Sequence, residues 1–209
     1  MRSSNAGHRL WTGIASQEHA SRLSRNLLCD DFFCGWGIRT LGSGEVRYNP
    51  MSYHNGSVWP HDNAIIASGL ARYGYKQEAL RIMNALFEAS TFMELNFMEL
   101  NRLPELFCGF HKRSGLEGPT LYPVACSPQA WAAGSAYLLL EYCLGITVQP
   151  TEQVVEFSSP QLPEAIDQIE LANLRVGKSS VDLRLRRDGD EISVDVLRTV
   201  GGIKIGILR

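Results

Sequence analysis

The stretch Asn49-Pro-Met-Ser-Tyr-His-Asn-Gly-Ser-Val-Trp-Pro-His-Asp-Asn63 decides how the rest of the chain is interpreted. It gathers aromatic rings, amides and a carboxylate around one glycine and two prolines. Flat rings stack on the C–H faces of a sugar, and Asn, Asp and His side chains bond its hydroxyl groups. Two interpretations are open: a pocket for a polyhydroxylated ligand, or an aromatic loop whose polar groups satisfy one another.

The composition limits the class of protein. The chain has 209 residues, of which 44% are hydrophobic, and a formal net charge of −2. That length suits one domain, or one domain with a small appendage. A near-neutral chain without a basic run argues against nucleic acid or an anionic membrane as a partner. Five cysteines without C-x-x-C spacing predict free thiols in a reducing cytoplasm and argue against a metal site.

Apolar residues at helical spacing predict amphipathic helices over residues 17–28 and 75–90, with another between Asn63 and Gly74. A fourth helix, over residues 128–144, is apolar on nearly every side. A helix without a polar face is typically surrounded by protein, which predicts an inner layer of helices inside an outer one.

From about residue 151 the pattern changes to alternating apolar residues, and Arg187-Asp-Gly-Asp190 is a hairpin turn signal. These features predict a small antiparallel β segment, in which nothing suggests chemistry.

Two further places contain candidate functional residues. Trp36 and Arg39 form either a second sugar-facing platform or a core ring with an ion-pair partner. Glu105 lies among apolar neighbours, a setting that desolvates a carboxylate and raises its pKa. Arg102 is close enough in sequence to pair with it instead. Glu105 is therefore either a structural ion-pair partner or a catalytic carboxylate.

Residues 92–101 repeat the pentapeptide Phe-Met-Glu-Leu-Asn. Five residues are not a helical period, so the repeat is interpreted as a local duplication. Five additional residues would rotate a helix that leads to Glu105 or would lengthen the loop before it. Either change is expected to displace Glu105.

Five motifs together resemble the C-terminal part of amylo-α-1,6-glucosidases, the glucosidase module of glycogen debranching enzymes and their bacterial relatives. The resemblance covers roughly residues 4–145. The motifs are Asn5-Ala-Gly-His8, Gly35-Trp-Gly-Ile-Arg-Thr40, Tyr48 to Asn63, Arg102-Leu-Pro-Glu-Leu-Phe-Cys-Gly-Phe110 and Tyr122-Pro-Val-Ala-Cys-Ser-Pro-Gln-Ala-Trp-Ala-Ala-Gly134.

The resemblance implies a mainly α fold. Residues 1–150 are expected to be the C-terminal half of an (α/α)6 toroid, the catalytic domain of a six-hairpin glycosidase. Residues 151–209 are expected to be a small β-strand segment that follows it.

The resemblance also implies an inverting glycoside hydrolase without metal or organic cofactor, in which Glu105 is the general base. The family's general-acid aspartate belongs to an earlier part of the toroid. The resemblance places seven residues at the pocket as substrate-binding candidates: Trp36, Arg39, His54, Asn55, Trp59, His61 and Asp62.

The predicted function is therefore a fragment of a debranching-type hydrolase that acts on an oligosaccharide or α-glucan in the cytoplasm. Its expected partners are the missing N-terminal half of the toroid or a second copy of the chain. The alternatives are a non-catalytic carbohydrate-binding protein and an inactive remnant.

Overall fold

The computed structural model describes residues 1–96, 102–113, 117–189 and 191–208. The chain divides into two compact units, Met1–Leu139 and Leu140–Arg209.

Helices build the first unit. A 3-10 turn, Ser4–Gly7, precedes the helices α1 (His8–Trp11), α2 (Gln17–Leu27), α3 (Pro60–Arg72), α4 (Lys76–Asn96) and α5 (Ala130–Leu144). The four helices predicted from apolar spacing are confirmed as α2 to α5. Ser16 caps α2, because its side chain accepts the backbone N–H of His19 at 3.3 Å. The unit boundary falls within α5.

Helix α3 is the buried element of the first unit. Pro60 occupies its first turn, and Ala64, Ile66 and Leu70 are fully buried. A Cβ added to Gly69 would lie 2.5 Å from the backbone N of Trp11, so glycine is required where α1 crosses α3. This close crossing fixes the C-terminal part of α3 relative to the N-terminal residues.

A row of single β-bridges crosses the loops of the first unit. Arg39 pairs with Val58, Val58 with Phe107, and Phe107 with Leu121, each in antiparallel orientation. Val58 and Phe107 exchange two backbone hydrogen bonds, of 2.9 and 3.0 Å. This row, called the bridge row below, brings together four segments that are far apart in sequence.

Strands form two three-stranded sheets in the described part of the second unit. One sheet has the order β1 (Ile146–Gln149), β2 (Val154–Ser158), β6 (Lys204–Leu208), and the other has the order β3 (Gln168–Val176), β4 (Ser179–Asp188), β5 (Glu191–Val200). Their buried side chains share one hydrophobic core, which includes Val155, Phe157, Leu162, Val181, Leu183 and Leu185.

The predicted hairpin is confirmed, because β4 and β5 pair antiparallel and end with Asp188 opposite Glu191. Asp190, the last residue of the turn signal, lies outside the described residues. The prediction of an entirely antiparallel segment is wrong, because β6 pairs with β2 in parallel.

The expected fold class, a mainly α partial toroid, is wrong. Over its described residues the structure has five α-helices and two three-stranded sheets, and from Ile146 onward its regular elements are strands. Residues 28–59, 102–113 and 117–129 run as loops and single bridges, where a toroid would continue its helices. The apolar helix α5 also leaves Trp131 63% exposed and Tyr137 77% exposed, so its surroundings are not those of an inner helix.

Helix α4 reaches Asn96 and so contains the first copy of the repeated pentapeptide. The second copy, residues 97–101, lies outside the described residues. In the part of the chain that the structure describes, no helix is both long and apolar enough to cross a bilayer.

Candidate active site

A cluster of aromatic rings lies just before and within the first turn of α3, with Trp59 at its centre. The rings of Tyr53 and His61 meet Trp59 edge-on at centroid distances of 4.8 and 5.6 Å. His54 lies parallel to it at 6.1 Å. The indole N–H donates to Ser57 Oγ at 2.8 Å and to the Tyr53 carbonyl at 3.2 Å. These contacts fix the orientation of a ring that remains partly exposed.

Backbone bonds hold the loop that carries these rings. Gly56 has φ +149°, and a Cβ there would lie 2.7 Å from the carbonyl oxygen of Asn49. Its N–H donates to Thr40 Oγ1 at 2.9 Å. The half-buried Asn55 accepts the Asn49 N–H at 2.8 Å and donates its own N–H to Ser52 Oγ at 3.2 Å. The ring cluster is thus preorganised before any ligand arrives.

The bridge row places Glu105 beside this cluster. Phe107 is fixed opposite Val58, and Glu105 precedes it by two residues. The Tyr53 hydroxyl donates to Glu105 Oε1 at 2.6 Å. This bond and the charge of the carboxylate raise the pKa of Tyr53 to about 12, so the phenol stays protonated at neutral pH.

Three donors hold the Glu105 carboxylate, which is 5% exposed. Oε1 accepts from Tyr53 and from Gln129 Nε2 at 2.8 Å, and Oε2 accepts from the backbone N–H of Cys126 at 2.8 Å. Burial favours the neutral acid, but the Cys126 N–H and the Tyr53 hydroxyl outweigh it and lower the pKa of Glu105. The expectation of a raised pKa is therefore wrong. No ion pair with Arg102 forms among the described residues.

Three buried polar atoms of this region have no hydrogen-bond partner in the described part of the chain: His61 Nδ1, Asp62 Oδ2 and Gln129 Oε1. Burial lowers the pKa of His61, so its ring is neutral at pH 7 and offers one donor and one acceptor nitrogen. Buried polar groups are normally bonded, and each exception calls for an explanation.

Asp62 is anchored from the N-terminal segment. Its Oδ1 lies 2.6 Å from His8 Nε2, and this contact joins α1 to the first turn of α3. The hydrogen bond to Asp62 raises the pKa of His8, although partial burial opposes the shift. A carboxylate in the first turn of α3 also interacts favourably with the helix dipole.

The His8–Asp62 pair is expected to make stability depend on pH. The raised pKa of His8 means that the pair stabilises the fold fully below the unfolded histidine pKa of about 6.5, and that this contribution is lost as pH rises through the folded pKa. Because His8 is 39% exposed, we expect at most about 1 kcal/mol. Urea unfolding of the wild type and His8→Gln at pH 5 and pH 9 measures the difference.

His111→Gln, at an exposed position, is the matched control for this pH dependence. A difference between the wild type and His8→Gln that is equal at both pH values, or larger at pH 9, would show that the pair does not stabilise through protonated His8.

Trp36 and Arg39 lie inside the protein, at 3% and 0% exposure. Trp36 packs edge-on against Phe92 at 5.5 Å, with Lys112 Nζ 4.8 Å from its ring centroid. The Arg39 guanidinium donates to three backbone carbonyls, those of Gly109, Asp30 and Asp31. In this structure, therefore, both side chains are largely enclosed by protein. Their contacts tie loops together.

The structure brings Glu105 together with His54, Trp59, His61 and Asp62, five of the eight predicted site residues. Asn55 stabilises the loop of the ring cluster through backbone hydrogen bonds, whereas Trp36 and Arg39 lie outside the cluster. Sequence reasoning left five contributors out of the predicted set: His8, Tyr53, Cys126, Gln129 and Trp131. All five occur within the motifs that carry the family resemblance, and membership of those motifs could have identified them.

Among the described residues, no group of three or more His, Cys, Asp or Glu side chains is arranged to hold a metal ion. The chemistry available here is that of a carboxylate, neutral imidazole and aromatic faces.

Comparison with known proteins connects this arrangement to glycoside hydrolases. Residues 4–100 match the family model of the mannosylglycerate hydrolase MGH1-like glycoside hydrolase domain. Mannosylglycerate hydrolases MGH1 and MGH2 of Selaginella moellendorffii are each 33% identical over 81 residues, which cover 38% of this chain and 16% of each relative. The chain thus spans about one sixth of the length of these relatives, and Glu105 lies beyond the part that the family model matches.

Two solved structures match parts of this chain. A sialidase matches with a TM-score of 0.64 and 12% identity over 93% of this chain and 19% of its own. An uncharacterized conserved protein from Thermus thermophilus matches with a TM-score of 0.47 and 20% identity over 66% of this chain and 30% of its own. At such identities the likeness to the sialidase concerns the fold alone. The family match supports the predicted relation to glycoside hydrolases for residues 4–100, and the debranching type stays a prediction.

Proposed function

Because residues 4–100 carry a glycoside hydrolase-like domain, we propose that the ring cluster binds a glycosyl unit and that Glu105 is the base of an inverting α-glycoside hydrolase. One observation carries the proposal. The buried Glu105 carboxylate lies beside the aromatic rings, and the donors that hold it also lower its pKa. A general base needs an ionised carboxylate, and a sugar needs aromatic faces.

In the proposed mechanism, Glu105 removes a proton from a water molecule whose oxygen attacks the anomeric carbon. A carboxylic acid on the opposite side of the sugar protonates the leaving oxygen as the glycosidic bond breaks. We do not assign this acid to Asp62, because its carboxyl group is bound to His8. The proton donor would come from another polypeptide segment, in the same protein or in a second copy. By itself the chain should bind sugars but hydrolyse unactivated glycosides very slowly.

The proposal also concerns which glycoside is the substrate. The motifs favour α-1,6-linked glucosyl units, as in glycogen debranching, whereas the names of the plant relatives indicate a mannosyl unit on glycerate. Binding of isomaltose and of mannosylglycerate, measured side by side, distinguishes them. A cytoplasmic location is proposed as well, and the thiol state of the five cysteines supports it.

Calorimetric titration with isomaltose tests the proposed pocket. Trp59→Ala is expected to weaken binding by about tenfold or more, because the central ring of the cluster is lost. His54→Ala removes an exposed ring of the same cluster and should weaken binding without disturbing the loop. Trp11→Ala, a surface tryptophan on α1, is the matched control. Equal affinity in all four proteins, or no binding by the wild type, would refute the pocket.

One observation favours a second candidate function, a non-catalytic sugar-binding module. Tyr53, Gln129 and Cys126 already occupy most of the acceptor capacity of Glu105, which leaves little room for a water molecule. In that case Glu105 would organise the pocket rather than react. Wild-type binding of isomaltose without any Glu105-dependent hydrolysis would support this alternative.

A further inference from the structure

We propose that Trp131 forms an outer subsite that stacks on a second, uncharged sugar ring, so that the ligand is a disaccharide or longer rather than a sugar joined to a small acyclic acid. The inference rests on the proposed function of the ring cluster and deepens it. Neither the family model, which ends at residue 100, nor the predicted site assigns a role to this side chain.

Trp131 is continuous with the ring cluster. Its ring meets His61 edge-on at a centroid distance of 4.4 Å, and His61 meets Trp59 in the same way at 5.6 Å. The three rings thus form a chain that runs from the centre of the cluster to the surface. Trp59 is partly exposed and Trp131 is 63% exposed, so the outermost ring is the most accessible.

The backbone around Trp131 is rigid and tied to the proposed base. Gln129, two residues earlier, donates to Glu105 Oε1 at 2.8 Å. Ala132 and Ser135 anchor the first turns of α5, both buried, and the Ser135 hydroxyl donates to the Ala132 carbonyl at 2.6 Å. An exposed indole on a fixed helix loses little conformational entropy when a ligand covers it, because the side chain has only two rotatable torsions.

The charges near the Trp131 ring determine which kind of sugar unit binds against it. Glu105 lies one hydrogen bond from Gln129, and Asp62 follows His61 directly. The Asp62 carboxylate is already engaged with His8. The buried Glu105 carboxylate disfavours an acidic aglycone near this ring, whereas the face of an uncharged pyranose stacks on an indole.

A comparison of one-ring and two-ring ligands tests the subsite. We expect the wild type to bind isomaltose about tenfold more tightly than methyl α-glucoside, measured by calorimetry. Trp131→Ala should remove this advantage by weakening isomaltose binding more than methyl α-glucoside binding, and Trp131→Phe should retain part of it. Tyr137→Ala, which removes an even more exposed ring on the same helix, is the control and should change neither affinity.

The outcomes separate the subsite from the pocket. If the wild type binds both ligands equally, or if Trp131→Ala weakens both equally, the outer subsite is refuted while the pocket stands. If the wild type binds neither ligand, the proposed function fails and the subsite with it. If Trp131→Ala instead converts a self-associating wild type to a monomer in analytical ultracentrifugation, with sugar affinities unchanged, the ring serves contact between copies and the subsite is refuted.

Discussion

Glu105→Gln is expected to lower the rate of hydrolysis of an activated α-glycosyl fluoride by about 10²- to 10⁴-fold, with sugar affinity changed little. Fluoride departs without a proton from the enzyme, so this substrate needs the base alone and reports on Glu105 even when the acid is absent. Because the pKa of Glu105 is lowered, the rate should begin to fall only below the ordinary glutamate pKa of about 4.3. Fluoride release followed from pH 3 to pH 8 measures both effects.

Glu141→Gln, an exposed glutamate on α5, is the matched control and should keep the wild-type rate. Equal rates for the wild type and Glu105→Gln would contradict a base at this position and favour the non-catalytic alternative. A product that retains the anomeric configuration would contradict the inverting mechanism, because retention requires the carboxylate to attack the sugar directly.

Arg39→Ala is expected to destabilise the protein by about 3 to 5 kcal/mol, because three backbone carbonyls lose a charged donor and a large cavity opens. The guanidinium is 0% exposed and bonds the carbonyls of Gly109, Asp30 and Asp31 at 2.7, 2.9 and 3.1 Å. It also lies 5.6 Å from the centroid of the Tyr48 ring. Urea unfolding followed by circular dichroism measures the change in free energy.

Two further variants isolate the cause. Arg39→Met keeps most of the volume and removes only the donors, so it should recover the cavity part of the loss. Arg47→Ala, at an exposed position, should change stability by less than about 0.5 kcal/mol. A loss below about 1 kcal/mol in Arg39→Ala would show that the loops do not depend on this side chain.

Local patterns predicted the parts of the fold that depend on neighbouring residues. The spacing of apolar side chains located α2 to α5, and a glycine turn located the β4–β5 hairpin. The parallel pairing of β6 with β2 places Lys204 opposite Val154. These residues are far apart in sequence, so no local pattern predicts that they pair. The toroid came from the family resemblance rather than from a local pattern, and it is the prediction that the strands overturn.

The candidate site shows the same limit. The aromatic stretch from Asn49 to Asn63 was recognisable because its composition is unusual for either a core or a linker. The apolar neighbours of Glu105 predicted a raised pKa, since its donors come from residues 53, 126 and 129 and are invisible in the local sequence. The family resemblance placed Arg39 near the rim of the pocket, and no local pattern indicated the three carbonyls that it bonds.

The position of the proposed base does not depend on the length of the chain that leads to it, because the bridge row holds that region in place. Phe107 is held by its own two backbone bonds to Val58, and Glu105 is held from Cys126, downstream of it. Neither anchor passes through the duplicated pentapeptide at residues 92–101. Residues gained or lost between α4 and the bridge row therefore need not shift the carboxylate.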